Sequence, residues 1–165
     1  MNETLPKRKH PRLKSYDYSN AGAYFITICA YQKKCLFGTI GRDSARSELI
    51  LSQFGKIAEK QLLLLSSRYP ELSVDYYVIM PNHIHAIFVL DSKAAGASPR
   101  PTVMDIVCAF KSLTTRECKQ IKEIERIFQT SFYEHVIRNQ IDYDEVASYI
   151  IENPQKWQMD KLYSE

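Results

Sequence analysis

Residues 74–90 hold the feature that most limits the fold: two β-branched and aromatic runs hinged at Pro81-Asn82. The second run, His83-Ile-His-Ala-Ile-Phe-Val-Leu90, is apolar at almost every position outside its two histidines, which predicts a strand buried on both faces or nearly so. Val74 to Met80 predicts its partner, and Pro81-Asn82 is turn chemistry, so the two strands should adjoin. Ala23 to Tyr31, preceded by the Ser19-Asn-Ala-Gly22 turn, reads as another strand. Phe37-Gly38 and Gly41 mark a loop or short hairpin. Apolar residues at 50, 54, 57, 58 and 61–65 predict a helix over 48–67, ended by Tyr69-Pro70. Residues 91–101 read as a mobile loop. Thr102 is a candidate N-cap for a helix with the stripe Val103, Ile106, Val107, Phe110 and Leu113. Residues 127–137 suggest a fourth strand, and 142–153 a closing helix stopped by Pro154. The order β-α-β-β-α-β plus a helix implies an α+β, ferredoxin-like plan: an antiparallel four-stranded sheet with helices on one face and an added C-terminal helix.

The 165 residues amount to one domain, and 45% hydrophobic content is enough for a core. The net charge of +3 is too small to imply a nucleic-acid partner alone, but its distribution is uneven. Residues 1–18 form a basic arm carrying Lys7, Arg8, Lys9, Arg12 and Lys14 against acidic Glu3 and Asp17. Such an arm can lie along phosphates or be simply solvated. Residues 19–165 form the single folded domain. Nothing resembles a signal peptide or an apolar membrane span, so a cytoplasmic protein with no membrane partner is expected. Cys29, Cys35, Cys108 and Cys118 lack zinc-like spacing and read as reduced core thiols.

Alternate strand residues share a face, so His83 and His85 project together with α-carbons about 7 Å apart. Two imidazoles so placed can converge on one metal ion, or can be two structural rings hydrogen-bonded at a strand start. A third ligand has to come from elsewhere. Tyr149 and Asn153 are spaced i, i+4 on the closing helix and share its face. An Asn carbonyl oxygen suits a hard ion such as Mg²⁺ or Mn²⁺. A tyrosine one turn away would put a hydroxyl near the same ion, the arrangement phosphoryl transfer needs. Forming phenolate at pH 7 costs roughly 4 kcal/mol, so the tyrosine needs activation. A buried helix tyrosine is the plain alternative.

Met80-Pro-Asn-His-Ile-His85 resembles the histidine–hydrophobic–histidine (HUH) motif of single-tyrosine transposases. More closely, the chain resembles the REP-associated tyrosine transposases. The likeness runs through Arg12 to Tyr18, Gly22 to Cys29, Phe110-Lys-Ser112, Ser131 to Arg138 and Tyr149-Ile-Ile-Glu-Asn-Pro154, about residues 8 to 157. It implies a ferredoxin-like fold with His83 and His85 as metal ligands, Asn153 as third ligand and Tyr149 as nucleophile. It further implies cleavage and rejoining of single-stranded, hairpin-forming DNA through a 5′-phosphotyrosine intermediate, without ATP. No G-x-x-x-x-G-K-[S/T] phosphate loop is present. Lys7, Arg8, Lys9, Arg12, Lys14, Lys111, Arg116 and Arg138 are the candidate DNA contacts. The family's Val-Lys-Ala-Gly after Asn-Pro is replaced by Gln155-Lys-Trp157, a departure beyond the site residues. Tyr133 and Tyr143 compete with Tyr149, but only Tyr149 has Asn at i+4.

Two other readings stay open at this level. One is another HUH-type DNA-nicking enzyme; the other is a non-catalytic ferredoxin-like nucleic-acid-binding protein. Homodimer and monomer are both compatible with the sequence, as are a mobile-element enzyme and a domesticated one.

Overall fold

The computed structural model describes residues 21–43, 46–91 and 100–164. The basic arm and most of the 91–101 loop lie outside the described residues. The chain runs β1 (Gly22–Cys29), β2 (Gly38–Asp43), β3 (Arg46–Leu51), α1 (Gln53–Leu63), α2 (Leu65–Arg68), β4 (Leu72–Ile79), β5 (His83–Leu90), α3 (Val103–Ile121), β6 (Tyr133–Ile137) and α4 (Gln140–Glu152). Four strands form an antiparallel sheet in the order β4-β5-β1-β6, the ferredoxin-like arrangement. A separate β2–β3 hairpin is inserted between β1 and α1.

The sheet is covered on both faces. Tyr24, Ile26 and Ile28 of β1 and Ile84, Ala86, Phe88 and Leu90 of β5 enter the larger core with Ile57, Leu62, Ile106 and Phe110 from α1 and α3. The opposite face carries Phe25 and Ile87, which pack with Ala147, Ile150 and Trp157 from α4 and beyond. β5 is therefore buried on both sides, as its unbroken apolar run predicts. A bulge at Asp75 on β4 switches side-chain parity: Leu72 and Val74 before it and Tyr77 and Ile79 after it all face the larger core. The bulged Asp75 carboxylate accepts the Tyr143 hydroxyl at 2.7 Å, tying α4 to the sheet edge.

Several boundaries differ from the sequence expectation. Residues 48–51 belong to β3, because Ser52 caps α1: its hydroxyl accepts from Gly55 N at 3.1 Å and donates to Leu36 O at 2.6 Å. The fourth strand begins at Tyr133 instead of Ile127. Lys111 explains this, since its ammonium donates to the consecutive carbonyls of Gln129, Thr130 and Ser131 at 2.7, 3.1 and 3.2 Å. Carbonyls along a strand alternate in direction, so three in a row on one cation require a turn. Residue 128 keeps a single bridge, to Ala30. Thr102 does cap α3, in a reciprocal capping box with Asp105. Cys118 is a core thiol and Cys29 is partly buried, whereas Cys35 and Cys108 are exposed, Cys108 on the solvent face of α3; among the described residues no cysteine is in a disulfide. No helix among the described residues is long and apolar enough to cross a membrane.

Gly55 offers a clean test of the α1 junction. A Cβ there would lie 1.9 Å from the carbonyl oxygen of Phe37, a backbone atom. Helix propensity alone would favour Gly55→Ala by about 1 kcal/mol. The overlap reverses that sign, and urea denaturation should show a loss of about 2–3 kcal/mol. A stabilised variant would contradict this packing.

Candidate active site

The β1–β5 register places the two histidines. Thr27 lies opposite His85 and Cys29 opposite His83, all on the sheet face that α4 covers. Their rings sit with centroids 4.4 Å apart, and both are fully buried. Thr27 Oγ1 lies 2.8 Å from His85 Nδ1 and orients that ring. Asn82, buried in the turn before β5, places its side-chain oxygen 2.7 Å from His83 Nδ1.

The Asn82 contacts decide the tautomer of His83. Its amide nitrogen donates to the carbonyl of Leu162 at 2.7 Å and to that of Lys33 at 3.3 Å. A carbonyl can only accept, so this atom is the NH₂ group and Oδ1 faces the histidine. His83 Nδ1 therefore carries the proton and Nε2 presents a bare lone pair. Among the described residues, Nε2 of His83 and of His85 has no hydrogen-bond partner, although both atoms are buried. Leaving buried polar atoms unpaired costs about 1–3 kcal/mol each, a reason to look for a ligand.

Helix α4, started by the Asn139 cap on Asp142 N, brings Tyr149 and Asn153 to the same place. The Tyr149 ring meets His85 edge-on at 5.2 Å and Phe25 at 6.1 Å, yet the residue is 45% exposed and so reachable from solvent. Asn153 is buried; its Nδ2 donates to Asp160 Oδ2 at 2.9 Å and its Oδ1 has no partner. Three buried acceptors without donors, from His83, His85 and Asn153, are the donor set a hard or borderline dication takes. Trp157, from the divergent segment after Asn153, packs on His83 with ring centroids 5.9 Å apart.

One polar residue of this neighbourhood carries no signal in the sequence. Asp160 lies past α4 and a short 3-10 turn, Trp157–Met159, and its Oδ2 is 3.7 Å from His83 Nε2. One ligand atom from each of His83, His85 and Asp160 lies within 4.8 Å of the others. The competing tyrosines sit elsewhere: the Tyr143 hydroxyl is taken by Asp75, and Tyr133 is exposed on β6. Lys111 and Arg116 line one groove between α3 and residues 125–130 together with Lys119 and Arg126. Arg138 follows β6, its backbone N–H donating to Asp142 at 3.2 Å.

Burial sets the protonation of the site. It lowers the His83 pKa to about 4, with the Asp160 charge and the Asn153 amide offsetting part of the effect. His85 is lowered well below its ordinary value by burial and then by His83. Both rings are thus neutral at pH 7. Tyr149 is raised, first by burial and then by the Asp160 charge, with the Asn153 amide opposing. The unfolded chain takes up the His83 proton as pH falls through 6.5, the folded chain only near 4. Stability of the metal-free protein should therefore be full above about pH 6.5 and fall as pH drops from 6.5 towards 4, because of His83. Denaturant midpoints across that range, compared with His83→Gln, check this; equal slopes in both proteins would refute it.

No protein-family profile matches the chain. It is 32% identical to an uncharacterized protein of Haemophilus influenzae over an alignment of 177 positions, covering 98% of this chain and 96% of that protein. It is 28% identical over 120 positions to the REP-associated tyrosine transposase of Escherichia coli, covering 73% of this chain and 66% of that one. Among solved structures, a REP-associated tyrosine transposase bound to a REP hairpin superimposes with a TM-score of 0.62 at 22% identity, covering 88% of this chain and 73% of that one. A Deinococcus radiodurans protein assigned to the transposases superimposes with a TM-score of 0.51 at 15% identity, over 87% of this chain and 96% of that one. The two structures share its fold, and the sequence relatives carry the likeness along most of the chain. Along most of its sequence the chain is thus similar to a REP-associated tyrosine transposase, and it shares the fold of a solved member of that family.

Proposed function

We propose that this protein is a metal-dependent nuclease and strand transferase of single-stranded, hairpin-forming DNA. The observation that carries the reading is the pair of buried, unpartnered Nε2 atoms on His83 and His85, with a solvent-reachable tyrosine ring 5.2 Å from His85. His83, His85 and Asn153 would hold Mg²⁺ or Mn²⁺. When bound, the ion supplies positive charge that polarises the scissile phosphate and favours a phenolate nearby.

The rest of the chemistry falls to the chain's own groups. The Tyr149 oxygen attacks phosphorus, the P–O3′ bond breaks, and the 3′ oxygen leaves as a hydroxyl after taking up a proton. The 5′-phosphotyrosine so formed keeps the energy of the phosphodiester, and attack by another 3′-hydroxyl rejoins the strand. Burial and the Asp160 charge raise the tyrosine pKa, so the resting side chain is a phenol. Nucleophile strength then depends on added positive charge at the site. A REP hairpin bound by the structural relative makes a related hairpin the substrate to try first.

Phosphate contact falls to the basic arm (Lys7, Arg8, Lys9, Arg12, Lys14), to Arg138 and to the α3 groove. In that groove Lys111 already gives its ammonium to three carbonyls, so Arg116, with Lys119 and Arg126, is better placed for direct contact. The outer face of α4 around Tyr149 carries Asp144, Glu145 and Glu152, which repel a backbone approaching along that helix. Whether the tyrosine acts within one chain or between two copies is a separate question that mixed-mutant complementation answers.

Labelled single-stranded hairpin DNA with Mn²⁺ should give a covalent protein–DNA adduct that disappears in Tyr149→Phe. An adduct that persists in Tyr149→Phe would remove the nucleophile assignment. The double substitution His83→Ala with His85→Ala should abolish cleavage while hairpin binding in a mobility-shift assay stays within a few fold, since phosphate contacts lie elsewhere. Binding without any adduct in the wild type would favour the non-catalytic reading.

A further inference from the structure

The proposed ligands His83, His85 and Asn153 are all neutral, and a dication buried among neutral donors is left with its charge uncompensated. Asp160 stands beside them. Its side chain is 1% exposed, and Oδ2 lies 3.7 Å from a His83 nitrogen that carries no proton. Two acceptors face each other there with no hydrogen between them. The carboxylate's other contacts are neutral donors: Leu162 N to Oδ1 at 2.7 Å, Asn153 Nδ2 to Oδ2 at 2.9 Å, and the Tyr149 hydroxyl. A cation placed among these atoms would engage both the carboxylate and the bare imidazole nitrogen.

We infer that Asp160 is the anionic ligand of the metal centre, carried into it by the segment that follows α4. This rests on the metal reading above and adds a residue to it. The segment is fastened to the histidine turn itself. Asn82 Nδ2 donates to Leu162 O at 2.7 Å and contacts Ser164 Oγ at 2.9 Å, and Ser164 Oγ donates to Lys33 O at 2.7 Å. The same Asn82 side chain therefore sets the His83 tautomer and holds the strand of chain bearing Asp160. Asn153 works in parallel, giving Nδ2 to the carboxylate and leaving Oδ1 for the ion. Metal binding and docking of residues 157–164 are thereby one event: an ion strengthens the anchoring of this segment, and loss of the segment weakens the ion.

The test is Mn²⁺ titration of the full-length protein by calorimetry, with the electron paramagnetic resonance spectrum of bound Mn²⁺ as a second readout. Asp160→Asn keeps the shape and removes the charge. It should weaken Mn²⁺ by about tenfold or more and alter the spectrum. A thermal melt of its metal-free form checks that the variant is folded. Asp160→Ala should weaken Mn²⁺ in the same way, and Asp144→Asn, on the outer face of α4, should not. Wild-type affinity and spectrum in folded Asp160→Asn would overturn the inference, and lost cleavage in that same variant would assign the carboxylate to Tyr149 instead. If wild type binds Mn²⁺ and His83→Ala loses it while Asp160→Asn does not, the metal centre stands and only this ligand falls. If wild type shows no Mn²⁺ binding that depends on His83, both readings fall together.

Discussion

The antiparallel pairing of β1 with β5 is the constraint on which the rest of the molecule depends. It runs unbroken from Gly22 opposite Leu90 to Cys29 opposite His83. Strand side chains alternate, so this register sends Ile84, Ala86, Phe88 and Leu90 into the larger core and turns His83 and His85 to the other face. A slip of one residue would drive both imidazoles under α1 and α3 and bring Ile84 to the site. Burying two imidazoles among the apolar side chains of the larger core makes such a slip unfavourable. The energy that fixes the fold is therefore the same energy that aims the histidines. Pairing also supplies Thr27 as the neighbour of His85, an orienting hydroxyl delivered by register alone.

The second face is built differently. It has a smaller apolar cluster, Val78, Met80, Ile87, Ala147, Ile150 and Trp157, and depends on polar fastenings to hold α4 in place. The Asp75 bulge meeting Tyr143, and the Asn153–Asp160 pair, are the clearest of these. The result is an enclosed layer of polar atoms between a rigid strand and a helix. Burial there keeps both histidines neutral and Tyr149 a phenol. Those are the protonation states that the proposed metal site would need: bare imidazole lone pairs, with a phenol beside them.

Local sequence signals succeed where the deciding forces are local. Pro81-Asn82 marks the turn, the apolar run marks β5 to the residue, and Thr102 marks the start of α3. They fail where a distant group intervenes. Residues 48–51 satisfy a helical stripe, but pairing with Gly38 to Gly41 makes them strand, and Ser52 then starts the helix. Residues 127–132 alternate loosely like a strand, but the Lys111 ammonium on α3 gathers three successive carbonyls and bends them. Neither partner is visible from within the segment it reshapes.

The sequence by itself determined the central hairpin, the alternation that puts His83 and His85 on one face, and the helical turn that joins Tyr149 to Asn153. All three follow from periodicity, which is a property of neighbours along the chain. Tertiary structure decided that these two elements meet, which tautomer His83 adopts, and how burial sets the proton on each group. It also decided Asp160. That residue sits seven positions beyond Asn153, past the helix, in a segment whose composition shows nothing unusual. It reaches the histidines because Asn82, far earlier in the chain, holds the carbonyl of Leu162. A contact made across such a separation depends on the folded path between the two ends, and no spacing rule along the sequence encodes it.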